Sequence, residues 1–384
     1  MKILIVRPSP NKMNLSTYNL QEVGLAKALI RKGHQCDVMY FCGKEKDHWE
    51  IIKFDDNREL RILWLHGIGI FREGIYPSLK KYVNDYDIIQ VGGHEGITSC
   101  WLNRHVQDKV INYQGPYFYA GNKGYIKKAK ILDRTLLPLS HKNNMIVATK
   151  SVLATEYIKS KGIDDVTTIG VGLDLDNIMR SHEGMYDHEF IQNLYNRKGN
   201  GKYLLYIGVL EDRRNIHFLL EVFKQVAIEI PDCQLVLIGS GKKEYVESCF
   251  DKMKELGIQD KVIYREQLEQ KYMKAVYECS DAFLLPTRYE IFGMVILEAM
   301  YFGLPVFTTY NGGSSTLITE ENGIVIKNFN KDEWTQKIVS VIDNCELANT
   351  ISENAHRMIV ENYTWDALAD KFLSVYQKRL KSKK

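Results

Sequence analysis

The stretch "PTRYEIFGMVILEAMYFGLPVFTTYNGG", residues 286–313, places two glutamates, Glu290 and Glu298, eight positions apart and sets the second inside an apolar run. A buried carboxylate without a partner carries a penalty of several kcal/mol and normally sheds its charge instead. Some polar group must therefore meet Glu298, on the protein or on a ligand. Upstream, "DAFLLP" at 281–286 has the composition of a buried strand. A helix is expected to begin near Gly293, with Val295, Ile296, Ala299 and Met300 on its packed face. The first amides of such a helix, around Phe292 to Val295, have no intrahelical acceptor and form a site for an anion such as phosphate. Eight helical residues span about 12 Å, comparable to the reach from a sugar ring across a diphosphate to a ribose. On spacing alone two readings stand. In one, a nucleotide-sugar lies between the carboxylates. In the other, Glu298 pairs with an arginine or a backbone group and Glu290 is a surface residue.

The remaining chain sets the frame. At 384 residues, 45% hydrophobic and 26% charged, it has the composition of a globular protein with room for two domains. A net charge of only +3 offers no case for nucleic acid as a partner. No apolar run approaches the roughly 18–20 residues that span a bilayer. The opening "MKILIVRPSP" reads as a first strand rather than an export signal. Seven cysteines without CxxC spacing predict neither zinc nor disulfides and suit a cytoplasmic setting.

Apolar runs alternate with helical patterns from the start: "KILIV" at 2–6, "CDVMYF" at 36–41, "RILWL" at 61–65, "DIIQV" at 87–91, "KVINY" at 109–113, "MIVAT" at 145–149 and "VTTIG" at 166–170. A polar interval, 174–201, follows. The alternation then restarts with "YLLYIG" at 203–208, "CQLVLIG" at 233–239, "KVIYR" at 261–265, "DAFLLP", "PVFTT" at 305–309 and "GIVI" at 323–326. This is the grammar of two parallel, doubly wound sheets in tandem, whose ligands bind outside the carboxyl ends of the strands. The expected domains are 1–178 and 179–363, with a closing helix over 364–384 packed back on the first.

Residues 290–313 resemble the E-x7-E signature of retaining GT-B glycosyltransferases, in particular glycosyltransferase family 4. Glu290, Phe292, Gly293, Glu298, Ala299, Met300, Gly303, Pro305, Val306, Gly312 and Gly313 fall in register with it. "QLVLIGSGKKEY", "CSDAFLLPTRYE", "QEVGLAKALIRKGHQCDVM", "IGVGLDLDNI" and "ENYTWDALADKFLSVY" are similar to further segments of that family, so the likeness runs over nearly the whole chain. The resemblance implies two Rossmann-like domains facing across a cleft. It also implies metal-independent transfer of a hexose from a UDP- or GDP-sugar to a sugar or glycan hydroxyl, with no cofactor. By the same likeness Glu290 orients the donor sugar and Glu298 holds the ribose. The diphosphate lies against Gly208, Arg213, Arg214 and the backbone of Ile291, Phe292, Gly293, Met294 and Val295, and Arg265 flanks the base.

The chain departs from the family pattern at several points. Val209 stands where an arginine is usual, with Arg214 at a lysine position and Arg213 beside it. The loop "RPSPNKMNLSTYN" after the first strand lacks the usual glycine pair, and Gln114 replaces a common histidine. His94, at another strand end, is the alternative acceptor-side candidate. These departures leave a second reading open, a non-catalytic GT-B glycan-binding or partner subunit. The strings "DYD" at 85–87 and "DLD" at 174–176 read as polar loops rather than metal ligands, and "GSGKKE" at 239–244 as a turn into a helix. "YIKKAKILDRTLLPL" at 125–139 reads as a basic surface helix able to rest on an anionic membrane that carries a lipid-linked acceptor. Lys378, Arg379, Lys381, Lys383 and Lys384 are expected to be solvated.

Overall fold

The computed structural model describes every residue except 56, 71, 72, 122, 179–183, 383 and 384. The chain divides into two compact units, Met1–Gly172 with Thr364–Lys384, and Leu173–Tyr363. The first division thus falls at Gly172 rather than at 178. The Leu173 N–H donates to the Tyr363 carbonyl at 2.7 Å, so the segments entering and leaving the second unit are bonded to each other.

In the first unit the strands are β1 (Lys2–Val6), β2 (Gln35–Phe41), β3 (His48–Phe54), β4 (Arg58–Leu65), β7 (Ile88–Gly92), β8 (Val110–Gln114), β9 (Val147–Thr149) and β10 (Val166–Thr168). A separate hairpin is formed by β5 (Ile68–Ile70) and β6 (Glu73–Ile75). The large sheet runs β10-β9-β8-β7-β1-β2-β4-β3. It is parallel except where β3 pairs antiparallel with β4. Helices α1 (Gln21–Arg31), α2 (Ile97–His105), α3 (Lys123–Thr135) and α4 (Val152–Lys159) connect it. The central strands are near-continuous apolar runs because both sheet faces are covered, and Ile3, Leu4, Ile88 and Ile89 have no exposed surface. Strand β3 has no such run: "HWEIIKF" is exposed at most positions, so it carries no buried face for a sequence pattern to reveal.

The second unit holds helices α5 (Leu175–Ile178), α6 (Glu189–Lys198), α7 (Ile216–Glu229), α8 (Lys243–Leu256), α9 (Gln270–Glu278), α10 (Met294–Tyr301), α11 (Ser314–Leu317), α12 (Lys331–Ile342) and α13 (Cys345–Asn362). Its strands are β11 (Lys202–Ile207), β12 (Cys233–Ile238), β13 (Val262–Arg265), β14 (Ala282–Leu285), β15 (Val306–Thr308) and β16 (Ile324–Val325). They form a parallel sheet in the order β13-β12-β11-β14-β15-β16, the 3-2-1-4-5-6 arrangement of a doubly wound domain. The strand order reverses between β11 and β14, so the crevice lies over their carboxyl ends. The polar interval 174–201 is not all loop. Its helix α6 buries Ile191 and Leu194, two apolar residues among charged neighbours.

Helix α14 (Trp365–Lys381) returns to the first unit. Its Thr364 hydroxyl caps it by accepting from the Ala367 N–H at 3.2 Å, and it buries Trp365, Leu368, Phe372 and Tyr376. The Tyr376 hydroxyl donates to Gln90 at 2.6 Å. The expectation of a solvated basic tail is corrected at Arg379, while Lys378 is exposed as expected. Arg379 is only 4% exposed and donates to the Val110 and Asn144 carbonyls at 3.0 and 2.8 Å. Lys378 pairs with Asp165 at 2.6 Å. Lys383 and Lys384 lie outside the described residues.

The seat of Trp365 yields a test. A Cβ on Gly24 would lie 2.2 Å from the buried Trp365 Nε1 and under 3 Å from its ring carbons. Alanine gains roughly 1 kcal/mol in helix propensity at such a position, but overpacking against a fixed indole costs about 1–3 kcal/mol. Gly24→Ala is therefore expected to lower the urea midpoint of unfolding, whereas a helix answering to propensity alone would gain.

Candidate active site

The loops that leave β11 and β14 are bonded together at the switch point of the second sheet. The Arg288 N–H donates to the Arg213 carbonyl at 2.8 Å, and Arg213 Nη1 returns a bond to the Tyr289 carbonyl at 2.8 Å. The Thr287 hydroxyl contacts both of those carbonyls, at 3.3 and 3.0 Å. Arg288 reaches Asp212 at 3.0 Å and Asn215 at 3.4 Å. The glycine pair after β15 completes the clamp. A Cβ on Gly312 would sit 2.1 Å from the Ile291 carbonyl oxygen, and one on Gly313 would sit 2.0 Å from that of Phe292. Only glycine lets this turn lie on the backbone around Glu290, where the Gly312 N–H donates to the Glu290 carbonyl at 2.9 Å.

Glu290, Arg213, Arg214 and the start of α10 are brought together in this way, and Gly208 directly follows β11. Arg214 forms an ion pair with the Glu290 carboxylate, and the two side chains are 11% and 14% exposed. The alignment is poor for hydrogen bonding, and Arg214 Nε and Nη1 are buried with no hydrogen-bond partner among the described residues. Arg213 is different: its Nε lies 2.6 Å from Glu211, so loop contacts already occupy it. Gly293 caps α10 with a left-handed φ of +80°, and the Glu290 carboxylate accepts from the Ile291 N–H at 3.1 Å. Val209, in the arginine position, is half exposed and supplies no charge. Arg265 ends β13 on the same edge of the sheet, where its carbonyl accepts from Gly239 at 3.0 Å.

The polar group that meets Glu298 includes a residue of the protein. Glu298 is 5% exposed on α10, and the buried Tyr277 hydroxyl on α9 donates to its Oε2 at 2.7 Å. Tyr277 is itself held by stacking on Phe302, with ring centroids 5.1 Å apart and planes 12° apart. Sequence reading missed Tyr277. Its place on the buried face of α9 is visible in the pattern, but its pairing across 21 positions is not.

In the first unit the structure joins the two acceptor-side candidates, which strand ends of β7 and β8 present side by side. His94 Nδ1 lies 3.1 Å from Gln114 Oε1, and the Gln114 amide nitrogen donates to the Pro116 carbonyl at 2.9 Å. Gln114 therefore offers an oxygen, which makes His94 Nδ1 the donor and leaves Nε2 an acceptor. His94 and Gln114 are 1% and 2% exposed, and His94 Nε2 has no hydrogen-bond partner among the described residues. His94, Glu95 and Asp133 lie close enough to share a cation. Lys161 already serves there, with Nζ 2.9 Å from Glu95 and 2.7 Å from Asp133. The D-x-D strings behave as polar loops: Asp87 accepts from the Lys2 N–H at 2.7 Å, and Asp174 accepts from Asn177 at 2.6 Å.

Residues 187–358 match the family model described as glycosyl transferases group 1. An uncharacterized glycosyltransferase of Methanocaldococcus jannaschii is 31% identical over 179 residues, covering 46% of this chain and 45% of the relative. The D-inositol 3-phosphate glycosyltransferase of Corynebacterium diphtheriae is 25% identical over 96% of this chain and 91% of its own length. The chain spans about half the length of several other curated relatives that it matches. Among solved structures, Anabaena HepE in complex with UDP superposes with a TM-score of 0.72 at 16% identity, covering 98% of this chain and 100% of that one. At that identity the likeness is one of fold, and the fold is GT-B with two Rossmann-like domains.

Two outcomes are expected from these contacts. Tyr277→Phe removes a buried donor from the Glu298 carboxylate and should cost about 1.5–3 kcal/mol of stability by urea unfolding. Glu298→Gln on that background should recover part of the loss. Burial lowers the pKa of His94 from its ordinary 6.5, partly offset by the Glu95 charge. Below that value the unfolded chain takes up a proton that the folded chain refuses. His94's contribution is thus intact above pH 6.5 and is lost progressively as pH falls toward the lower folded value. The urea midpoint should drop on acidification, and less steeply in His94→Asn.

Proposed function

We propose that this chain is a group 1 glycosyltransferase that moves a hexose from a nucleotide-sugar to a hydroxyl of a sugar or glycan with retention of configuration. The observation that carries the reading is Arg214. A buried guanidinium whose Nε has no hydrogen-bond partner among the described residues stands against Glu290 at the switch point, and a donor buried in this way is costly unless an acceptor completes it. A diphosphate does so bidentately, with the first amides of α10 at its other side. The donor is a UDP- or GDP-sugar, and Glu298, aligned by Tyr277, accepts from ribose hydroxyls.

In the reaction the bond from the sugar's anomeric carbon to the diphosphate oxygen breaks, and a bond to the acceptor oxygen forms on the same face. The acceptor's proton passes to the departing phosphate. Arg214 and the helix amides stabilise the charge that develops there, and fixed dipoles and charges aimed at developing charge are usually what lowers such a barrier most. Arg213 keeps the loop in place, and Glu290 orients the sugar. Arg214 and a helix terminus supply positive charge at the diphosphate, so no metal or cofactor is invoked.

The acceptor is lipid-linked in this reading, and the protein works at the cytoplasmic face of a membrane in polysaccharide or glycoconjugate synthesis. The segment around α3 supports this, since Phe118, Ile131 and Leu139 are exposed beside exposed Lys123, Lys127, Lys130 and Arg134. Among the described residues no helix is long and apolar enough to cross a membrane.

The test is calorimetry of UDP, GDP and their sugars with a chelator present. One nucleotide should bind. Arg214→Ala should weaken it at least about tenfold, as the loss of a charge-assisted contact implies. Arg213→Ala should weaken it less, and Glu298→Ala should weaken both nucleotide and sugar nucleotide. Binding of neither nucleotide would overturn the reading in favour of a non-catalytic partner subunit.

A further inference from the structure

We infer that the first unit carries a second anion site, built from Lys150 and Arg7, which takes a phosphate or carboxylate group of the acceptor. The inference rests on the proposed transfer reaction for its ligand and on the first unit alone for its geometry.

Lys150 directly follows β9 and Arg7 directly follows β1, so both stand at the carboxyl edge of the parallel sheet, where ligands of this architecture bind. The half-buried Lys150 Nζ donates to Gln21 Oε1 at 2.8 Å, a neutral partner. It lies 5.1 Å from the centre of the Tyr113 ring. An ammonium has three N–H donors, and among the described residues no carboxylate pairs with this one. The carboxylate that acts on both cations is Glu22. It is already committed, with both oxygens 3.2 Å from Arg7 Nη1 and Oε2 accepting from the Tyr40 hydroxyl at 3.3 Å. Arg7 is thus paired with Glu22, while Lys150 meets the neutral amide oxygen of Gln21, the residue before it. Burial and the nearby Arg7 both lower the pKa of Lys150.

A cation kept part-buried with open donors is destabilising in the free protein, and an incoming anion recovers that cost. The loop from β1 to α1 has the matching composition. It has no glycine to bring backbone amides to an anion, and it begins with a guanidinium instead. Two ligand groups have this chemistry, an anionic group on the acceptor and the diphosphate of the donor. The first is favoured because the second unit already provides for the donor.

The test is calorimetric titration of the full chain with inorganic phosphate, with and without saturating UDP. Wild type should bind phosphate in both conditions. Lys150→Met should weaken phosphate at least about tenfold and leave UDP affinity unchanged, while Lys150→Arg retains phosphate binding. Glu22→Gln, which removes the competing carboxylate, should tighten phosphate, a result that a purely structural lysine would not produce. Phosphate binding that is absent from wild type or indifferent to Lys150→Met overturns the proposal. UDP displacing the phosphate binding that Lys150→Met removes overturns it too, because the cations then serve the donor. Loss of UDP binding with phosphate retained would instead sink the transfer reading and leave this site standing. If Lys150→Met unfolds, the Lys150→Arg and Glu22→Gln titrations decide alone.

Discussion

The ion pair of Arg214 with Glu290 is the contact on which the candidate site depends. It joins the loop after β11 to the loop after β14, the two strands between which the sheet order reverses. Both side chains are largely buried, and the hydrogen-bonding capacity of the arginine is not fully met among the described residues. An exposed pair of this kind would contribute little. Enclosed and incomplete, it is poised for a ligand that supplies the missing acceptors.

Backbone geometry around the pair is over-determined. Arg213, Thr287 and Arg288 tie the two loops through carbonyls and N–H groups. The Gly312–Gly313 turn presses on the Ile291 and Phe292 carbonyls from the other side. The glycine pair is thus explained by contact distance, since any side chain there would occupy the space of a carbonyl oxygen. The same argument covers "GSG": a Cβ on Gly239 would fall 1.8 Å from the Gly208 carbonyl oxygen. These glycines close-pack the β11 and β12 loops and do not cradle a dinucleotide.

The two units use charge differently. In the second, Arg214 pairs with Glu290 beside the helix start, and its Nε has no hydrogen-bond partner among the described residues. In the first, Lys161 neutralises Glu95 and Asp133, and Tyr125 and Tyr157 both donate to Glu95, at 3.3 and 3.4 Å. That network is satisfied internally, so it rigidifies the edge of the first sheet. The Lys150 and Arg7 group is not satisfied to the same degree, which sets the two clusters apart as scaffold and site.

The sequence by itself determined the two parallel sheets, because strands buried on both faces must be near-continuous apolar runs, and "KILIV" or "CQLVLI" are readable as such. It also located the glutamate pair, the arginines after β11 and the start of α10, which lie within a few positions of strand ends. It did not show β3, whose exposed residues leave no apolar signature, or α6, whose two buried residues are diluted by charge. Only the tertiary structure decided the partners. Glu298 meets Tyr277, His94 meets Gln114, Arg379 is buried under the first sheet, and Lys150 meets Gln21. Each of these pairings joins residues from different elements, and the pattern along one element records which side is buried but not what lies against it.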